Sequence, residues 1–295
     1  MLGRALVSVA CLCVLLTPMG CDTHAQDLAI DGDLLACKNA LTSRDHQERL
    51  EATICLGRLA RERPETGPDA VGLLMKGLKD THHEVRQNAA GELGELGDSP
   101  VAKAAIPTLV ETLKDDDSYV REAARNALGQ IGPDAIPALV ARLGEGHIGA
   151  ARALAQIGEP ALPALIDALG QRETRAAAVL GIADLGKRAE KAVPALIQAL
   201  TDNDPAIRQA VVSALRSIGP GAAAAVPILT VSLDDSDKWV RIEAMLALSA
   251  IGSVAMPAVP KLKQMLSDDD QQIVLNAERA LKKIQGSSPP APSSR

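Results

Sequence analysis

Phenylalanine is absent from the 295 residues, and one tryptophan and one tyrosine bring the aromatic share to 1%. Any core must therefore be filled by Ala, Leu, Ile and Val, and a single-stranded nucleic acid would find no stacking platform. Positive charge is short as well. Thirty-one Lys and Arg stand against 37 Asp and Glu, a net charge of −6, so no basic stripe offers itself to phosphates. Five histidines occur without a His-Glu-x-x-His helix and without Cys/His pairs at zinc spacing, which removes the usual signatures of a zinc enzyme. No Cys-x-x-Cys motif suggests redox catalysis. Beyond the first residues, no apolar run of membrane length appears.

What the chain has is a repeated sentence. An Arg near a helix start is followed by Ala and Leu, an Ile-Gly stop, and then Pro-x-Leu. It reads VREAARNALGQIGPDAIPALVARL at 120–143, IRQAVVSALRSIGPGAAAAVPILTVSL at 207–233 and VRIEAMLALSAIGSVAMPAVPKLKQML at 240–266. Aligned on the apolar residue closing each first helix, the units fall on Leu59, Leu96, Ile131, Ile157, Leu185, Ile218, Ile251 and Ile284. Ten residues earlier stand Arg49, Arg86, Arg121, His147, Arg175, Arg208, Arg241 and Val274. Pro107, Pro137, Pro163, Pro194, Pro227 and Pro260 open the second helices, where a missing N–H costs nothing.

Apolar spacing such as Ala123, Ala127, Leu128 and Ile131 has the helical period. A helix pair cannot bury its own apolar face and must stack on neighbours. The pattern predicts an all-α, right-handed α-solenoid of about eight helix-pair units over residues 43–285, preceded by a capping helix at 26–42. The Pro/Ser-rich 286–295 is a disordered tail by composition. Acidic turns at Asp115-Asp116-Asp117, Asp202-Asn203-Asp204, Asp234-Asp235-Ser236-Asp237 and Asp268-Asp269-Asp270 supply helix caps. Such oxygens also suit calcium, but no turn has the spaced Asp-x-Asp-x-Asp-Gly loop.

Residues 1–25 carry Arg4, the uncharged ALVSVACLCVLL at 5–16, and then small or polar residues. This is an export signal, too short to span a membrane. Two processing sites stay open. Cleavage after Thr23-His24-Ala25 would free Gln26; lipidation of Cys21 would tether the chain, although Pro18 stands where a lipobox wants Leu. Cys37 and Cys55, 18 residues apart, are a candidate disulfide in an oxidising compartment, with two buried thiols as the other reading.

The repeats resemble the HEAT family, most closely the short units of the phycobilisome-lyase type, with their Val-Arg-x-x-Ala-Ala-x-Ala-Leu-Gly-x-Ile-Gly core. The resemblance implies an inter-repeat ladder on Arg49, Arg86, Arg121, Arg175, Arg208 and Arg241. It joins Asp115 to Arg121, Asp202 to Arg208 and Asp235 to Arg241, and breaks at the fourth unit, where His147 replaces Arg. It also raises chromophore attachment, against which the export signal argues. HEAT-type iron hydroxylases need several His-Glu pairs, and only His83-Glu84 is present. His82 and His83 read as an exposed turn.

The second helices present Ala138, Ala141, Ala164, Asp167, Ala195 and Gln198. At about 8–10 Å per unit, eight units offer a surface about 60–70 Å long, which suits an extended segment or helix of another protein. Tyr119 and Trp239 precede Val-Arg in two units; they are candidate contact anchors, or rings lying against their own turns. The expectation is an exported, non-catalytic protein-binding scaffold with no cofactor, metal or nucleic-acid site. A repeat-type enzyme or subunit and a passive spacer are the alternatives. The oligomeric state stays open.

Overall fold

In the computed structural model, residues 23–144 and 146–286 are described, and every regular element among them is helical. The signal segment with Cys21 and most of the tail lie outside these residues. The chain divides into two compact units, residues 1–135 and 136–295.

In the first unit, α1 (Thr23–Ala40) precedes the pair α2 (His46–Glu62) and α3 (Gly67–Gly77). Then come α4 (His83–Glu95), the short α5 (Pro100–Lys103), α6 (Ile106–Thr112) and α7 (Ser118–Ile131). First helices lie on first helices, α2 against α4 and α4 against α7. Their contact is close because small residues line it. A Cβ added at Gly94 would come within 2.9 Å of the Ala127 Cα. Cys37 of α1 and Cys55 of α2 form a disulfide with Cα atoms 6.5 Å apart, within the range such bridges span.

The second unit contains α8 (Ile136–Leu143), α9 (Ile148–Ile157), α10 (Leu162–Leu169), α11 (Arg172–Leu185) and α12 (Val193–Ala199). It continues through α13 (Pro205–Ile218), α14 (Val226–Val231), α15 (Lys238–Ile251), α16 (Val259–Gln264) and α17 (Gln271–Gly286). Here α9, α11, α13, α15 and α17 stack in succession. A gly stop ends each of the first four of these helices. At Gly219 the backbone takes φ 67°, open to glycine at little cost, and a 3-10 segment then leads to Val226-Pro227 and the next helix.

Two stretches, Pro205–Asp234 and Lys238–Ser267, are apolar enough by composition to cross a membrane, a property not anticipated from the sequence. Gly219 and Gly252 break each into a helix pair, and half of each apolar window is buried against neighbours. Their hydrophobicity is that of a core without aromatic rings.

Leu128 and Ile218 are fully enclosed in their stacks. Leu128→Asp or Ile218→Asp should destabilise the fold by about 4 kcal/mol or more, since a buried charge finds no partner. Circular dichroism melts should show early loss of helix in both. Unchanged melts would contradict the register.

Candidate functional site

The acidic turns and the repeated arginines form one device. The guanidinium of Arg86 donates through Nε and Nη2 to both carboxylate oxygens of Asp115, at 2.7 Å each. Its remaining Nη1 donates to the carbonyls of Asp80 (2.9 Å) and Thr81 (3.2 Å). Arg49 does the same with Asp80 and the Ser43 carbonyl. Arg208 does so with Asp235 and the Asp202 carbonyl. Arg175 bonds the Asp202 carboxylate and the Leu169 carbonyl. Each arginine thus ties the turn before its own helix to the turn that follows the whole helix pair, and the bidentate forks are the stronger kind of ion pair.

This corrects the pairing expected from the family resemblance. The carboxylates of Asp115, Asp202 and Asp235 belong to the preceding Arg86, Arg175 and Arg208, not to Arg121, Arg208 and Arg241. Arg121 and Arg241 reach Asp115 and Asp235 through backbone carbonyls. The reason lies in the turn. Asp115 Oδ1 already accepts the Asp117 N–H, and Asp235 Oδ1 accepts the Asp237 N–H. The second Asp then caps the helix: Asp117 accepts from Tyr119 and Val120, and Asp237 from Trp239 and Val240. These carboxylates, which the sequence also offered to calcium, are committed to arginines and turn N–H groups.

Asp80 was missed because its turn, Asp80-Thr81-His82, is not an acidic run. The signal was its spacing: Asp80, Asp115, Asp202 and Asp235 each stand six residues before a ladder Arg. At the fourth unit, where the ladder was expected to break, His147 stands at the start of α9 without a side-chain cap bond; the neighbouring Glu145 lies outside the described residues.

Burial is the largest single influence on Asp80 and Asp115 and pushes them up. The arginine bonds, the turn N–H and nearby positive charge together outweigh it and hold both below the usual carboxylate range. For Asp235 the Arg208 bonds come first, and for Asp202 the Asp204 N–H, with the same net lowering.

The other surface is the exposed face of the second helices. Four residues beyond each opening Pro, the second unit exposes Ala141, Asp167, Gln198, Val231 and Gln264. Ala138, Ala164 and Ala195 are half-buried beside them. A groove of about 1030 Å³ runs from Ile166 and Leu169 past Ala195 and Gln198 to Asn203 and Ile207, with Arg172 and Arg175 among its walls. Its size matches that of a ligand cleft. Asp167 and Gln198 thus share one repeat position on this face. Tyr119 and Trp239 sit elsewhere, on the turn edge, 64% and 51% exposed, and Lys238 Nζ lies 5.7 Å from the Trp239 ring centre.

Stacked helix pairs with capped acidic turns define an α-solenoid of the HEAT and armadillo class. Models of HEAT repeats match residues 35–105, 101–148, 162–230 and 220–282, and the chain belongs to the HEAT-repeat family. The PBS lyase HEAT-like repeat matches 148–171. No curated protein matches the chain. Among solved structures it is similar to a mutant of Kap121p, at 13% identity and TM-score 0.59, covering 86% of this chain and 33% of that one. That likeness shows the fold alone. An engineered protein shares 26% identity at TM-score 0.43, covering 85% of this chain and 78% of the other. A designed armadillo repeat protein in complex with the peptide (KR)4 shares 20% at TM-score 0.41, covering 85% and 99%.

The lowered carboxylates give a signed pH dependence. Their stabilisation is complete above the ordinary Asp value of about 3.9 and is lost as pH falls through their lower folded values. Asp115→Asn or Asp235→Asn should cost about 1–3 kcal/mol at pH 7 and less at about pH 3. Thermal melts at both pH values check this; an equal cost at both would contradict it.

Proposed function

We propose that this HEAT-repeat chain is an exported, non-catalytic scaffold that holds a segment of another protein on its second-helix face. The observation that carries the reading is the division of labour between the two surfaces. The turn edge spends its charged groups on the ladder and caps. The second helices leave an open row of small and uncharged side chains around Asp167 and Gln198, with a groove beside them. An extended peptide or a helix can bury area on such a row without chemistry.

Export is supported by the signal-like residues 1–25 and by the Cys37–Cys55 bridge, a bond that oxidising compartments preserve. Both the Cys21 anchor and release at Gln26 fit this reading, and in either form the solenoid works outside the cytoplasm. Intact mass of the protein from the native envelope should show a chain starting at one of these two residues and two hydrogens lighter than the dithiol. A full-length mass with free thiols would contradict export.

A photo-crosslinking residue at Gln198 should trap one stoichiometric partner in the cell, and the same residue at Ser217, exposed on first helix α13, should not. Asp167→Arg or Gln198→Arg should weaken that partner about tenfold. Equal trapping from both positions would overturn the assignment of the face.

A further inference from the structure

The turn between the first two helix pairs breaks the capping rule of its neighbours. Asp45, Asp117, Asp204 and Asp237 cap their helices through side-chain oxygens, whereas His82 in α4, like His147 in α9 and Gln171 in α11, makes no side-chain cap bond. Its ring instead stacks on His46 of the preceding helix, centroids 4.0 Å apart, and lies 4.9 Å from His83. His82 Nδ1 is shut off from solvent and has no hydrogen-bond partner; the Glu84 Oε2 oxygen is 3.8 Å away. A buried imidazole nitrogen without a partner is unusual in a finished structure. His46, His82 and Glu84 each bring one ligating atom to within 4.8 Å of the others.

We infer that His46, His82 and Glu84 form a binding site for a late first-row divalent cation of the zinc type. Two imidazoles and one carboxylate are the donor set such ions take, and three protein ligands leave a fourth position for water or a partner group. Zinc holds nitrogen and oxygen at about 2.0–2.2 Å, which sets its ligating atoms about 3.4 Å apart. The cluster must therefore close by up to about 1.4 Å. His46 and Glu84 are exposed, and binding requires the His46 ring to turn out of its stack on His82 so that a lone pair faces the ion. Charge does not oppose the ion. The two ladder arginines bonded to this turn, Arg49 and Arg86, are paired with Asp80 and Asp115, and the Asp45 carboxylate lies 3.9 Å from His46 Nδ1.

The sequence alone placed His82 and His83 on an exposed turn and named no metal. What it could not show is that the repeat stacks His46, 36 residues earlier, directly over His82. The site lies on the turn edge of the first unit and does not depend on what the second-helix face binds.

The test is zinc chloride titrated into the purified metal-free chain by calorimetry, with cobalt absorption as an independent readout of coordination. One ion per chain is expected. His82→Asn supplies a capping side chain but no imidazole, so it should keep or raise the melting temperature of the metal-free protein while weakening zinc at least about tenfold. His46→Gln should weaken zinc similarly, Glu84→Gln should weaken it less, and His147→Asn should leave it unchanged. No binding at millimolar zinc, or binding with the same affinity in His82→Asn and His46→Gln, would overturn the site.

Discussion

A guanidinium has two edges, and this fold uses both. One edge of a ladder arginine holds the carbonyls of the turn that precedes its helix, and the other holds the carboxylate of the turn that follows the whole helix pair. A helix pair built from Ala, Leu, Ile and Val has little shape of its own to select a register, because without aromatic rings its contacts are shallow and similar from unit to unit. The arginine bridge supplies a directional contact at each step where it forms, and the aliphatic interior then packs around that spacing. The half-buried position of the pairs matters: Arg86 and Asp115 keep only 16% and 11% of their side-chain surface exposed, so salt screens them less than it would an open surface pair.

This arrangement also decides where function has room. Carboxylates that first look like a ligand edge are occupied by arginines, turn amides and helix caps. Relieved of structural duty, the second helices can vary on their outer row, and there Ala141, Asp167, Gln198, Val231 and Gln264 differ in chemistry at one repeated position. Variation on a constant frame is how a repeat protein acquires a partner. The His82 turn also lacks a capping oxygen, as the His147 turn does, but there the imidazole stacks on a second one, His46.

The solenoid was legible because its period, its Ile-Gly stops and its Pro starts are local signals, each repeated several times. The positions of Asp167 and Gln198 on one face followed from the same register. The ladder was legible in its members but not in its pairing. Sequence proximity favoured Asp115 with Arg121, whereas the partner of Asp115 is Arg86, 29 residues away, because the turn's own N–H groups orient the carboxylate toward the preceding helix. Asp80 escaped notice for a related reason: its role comes from its place in the stack, and its neighbours Thr81 and His82 disguise it. The stacking of His46 on His82 was likewise invisible, as it joins two units whose sequences give no hint of contact. The groove beside Gln198 depends on helix spacing, which composition does not report.

In the proposed function the second helices of residues 136–286 carry the partner while the turn ladder carries the fold. Hydrogen exchange of the chain, alone and saturated with the partner recovered from its native envelope, tests this directly. Slower exchange is expected in α10, α12 and the groove-lining first turns of α11 and α13, with the rest of α11 and α13 unchanged. Protection confined to the first helices or to the acidic turns, with α10 and α12 unaffected, would contradict it.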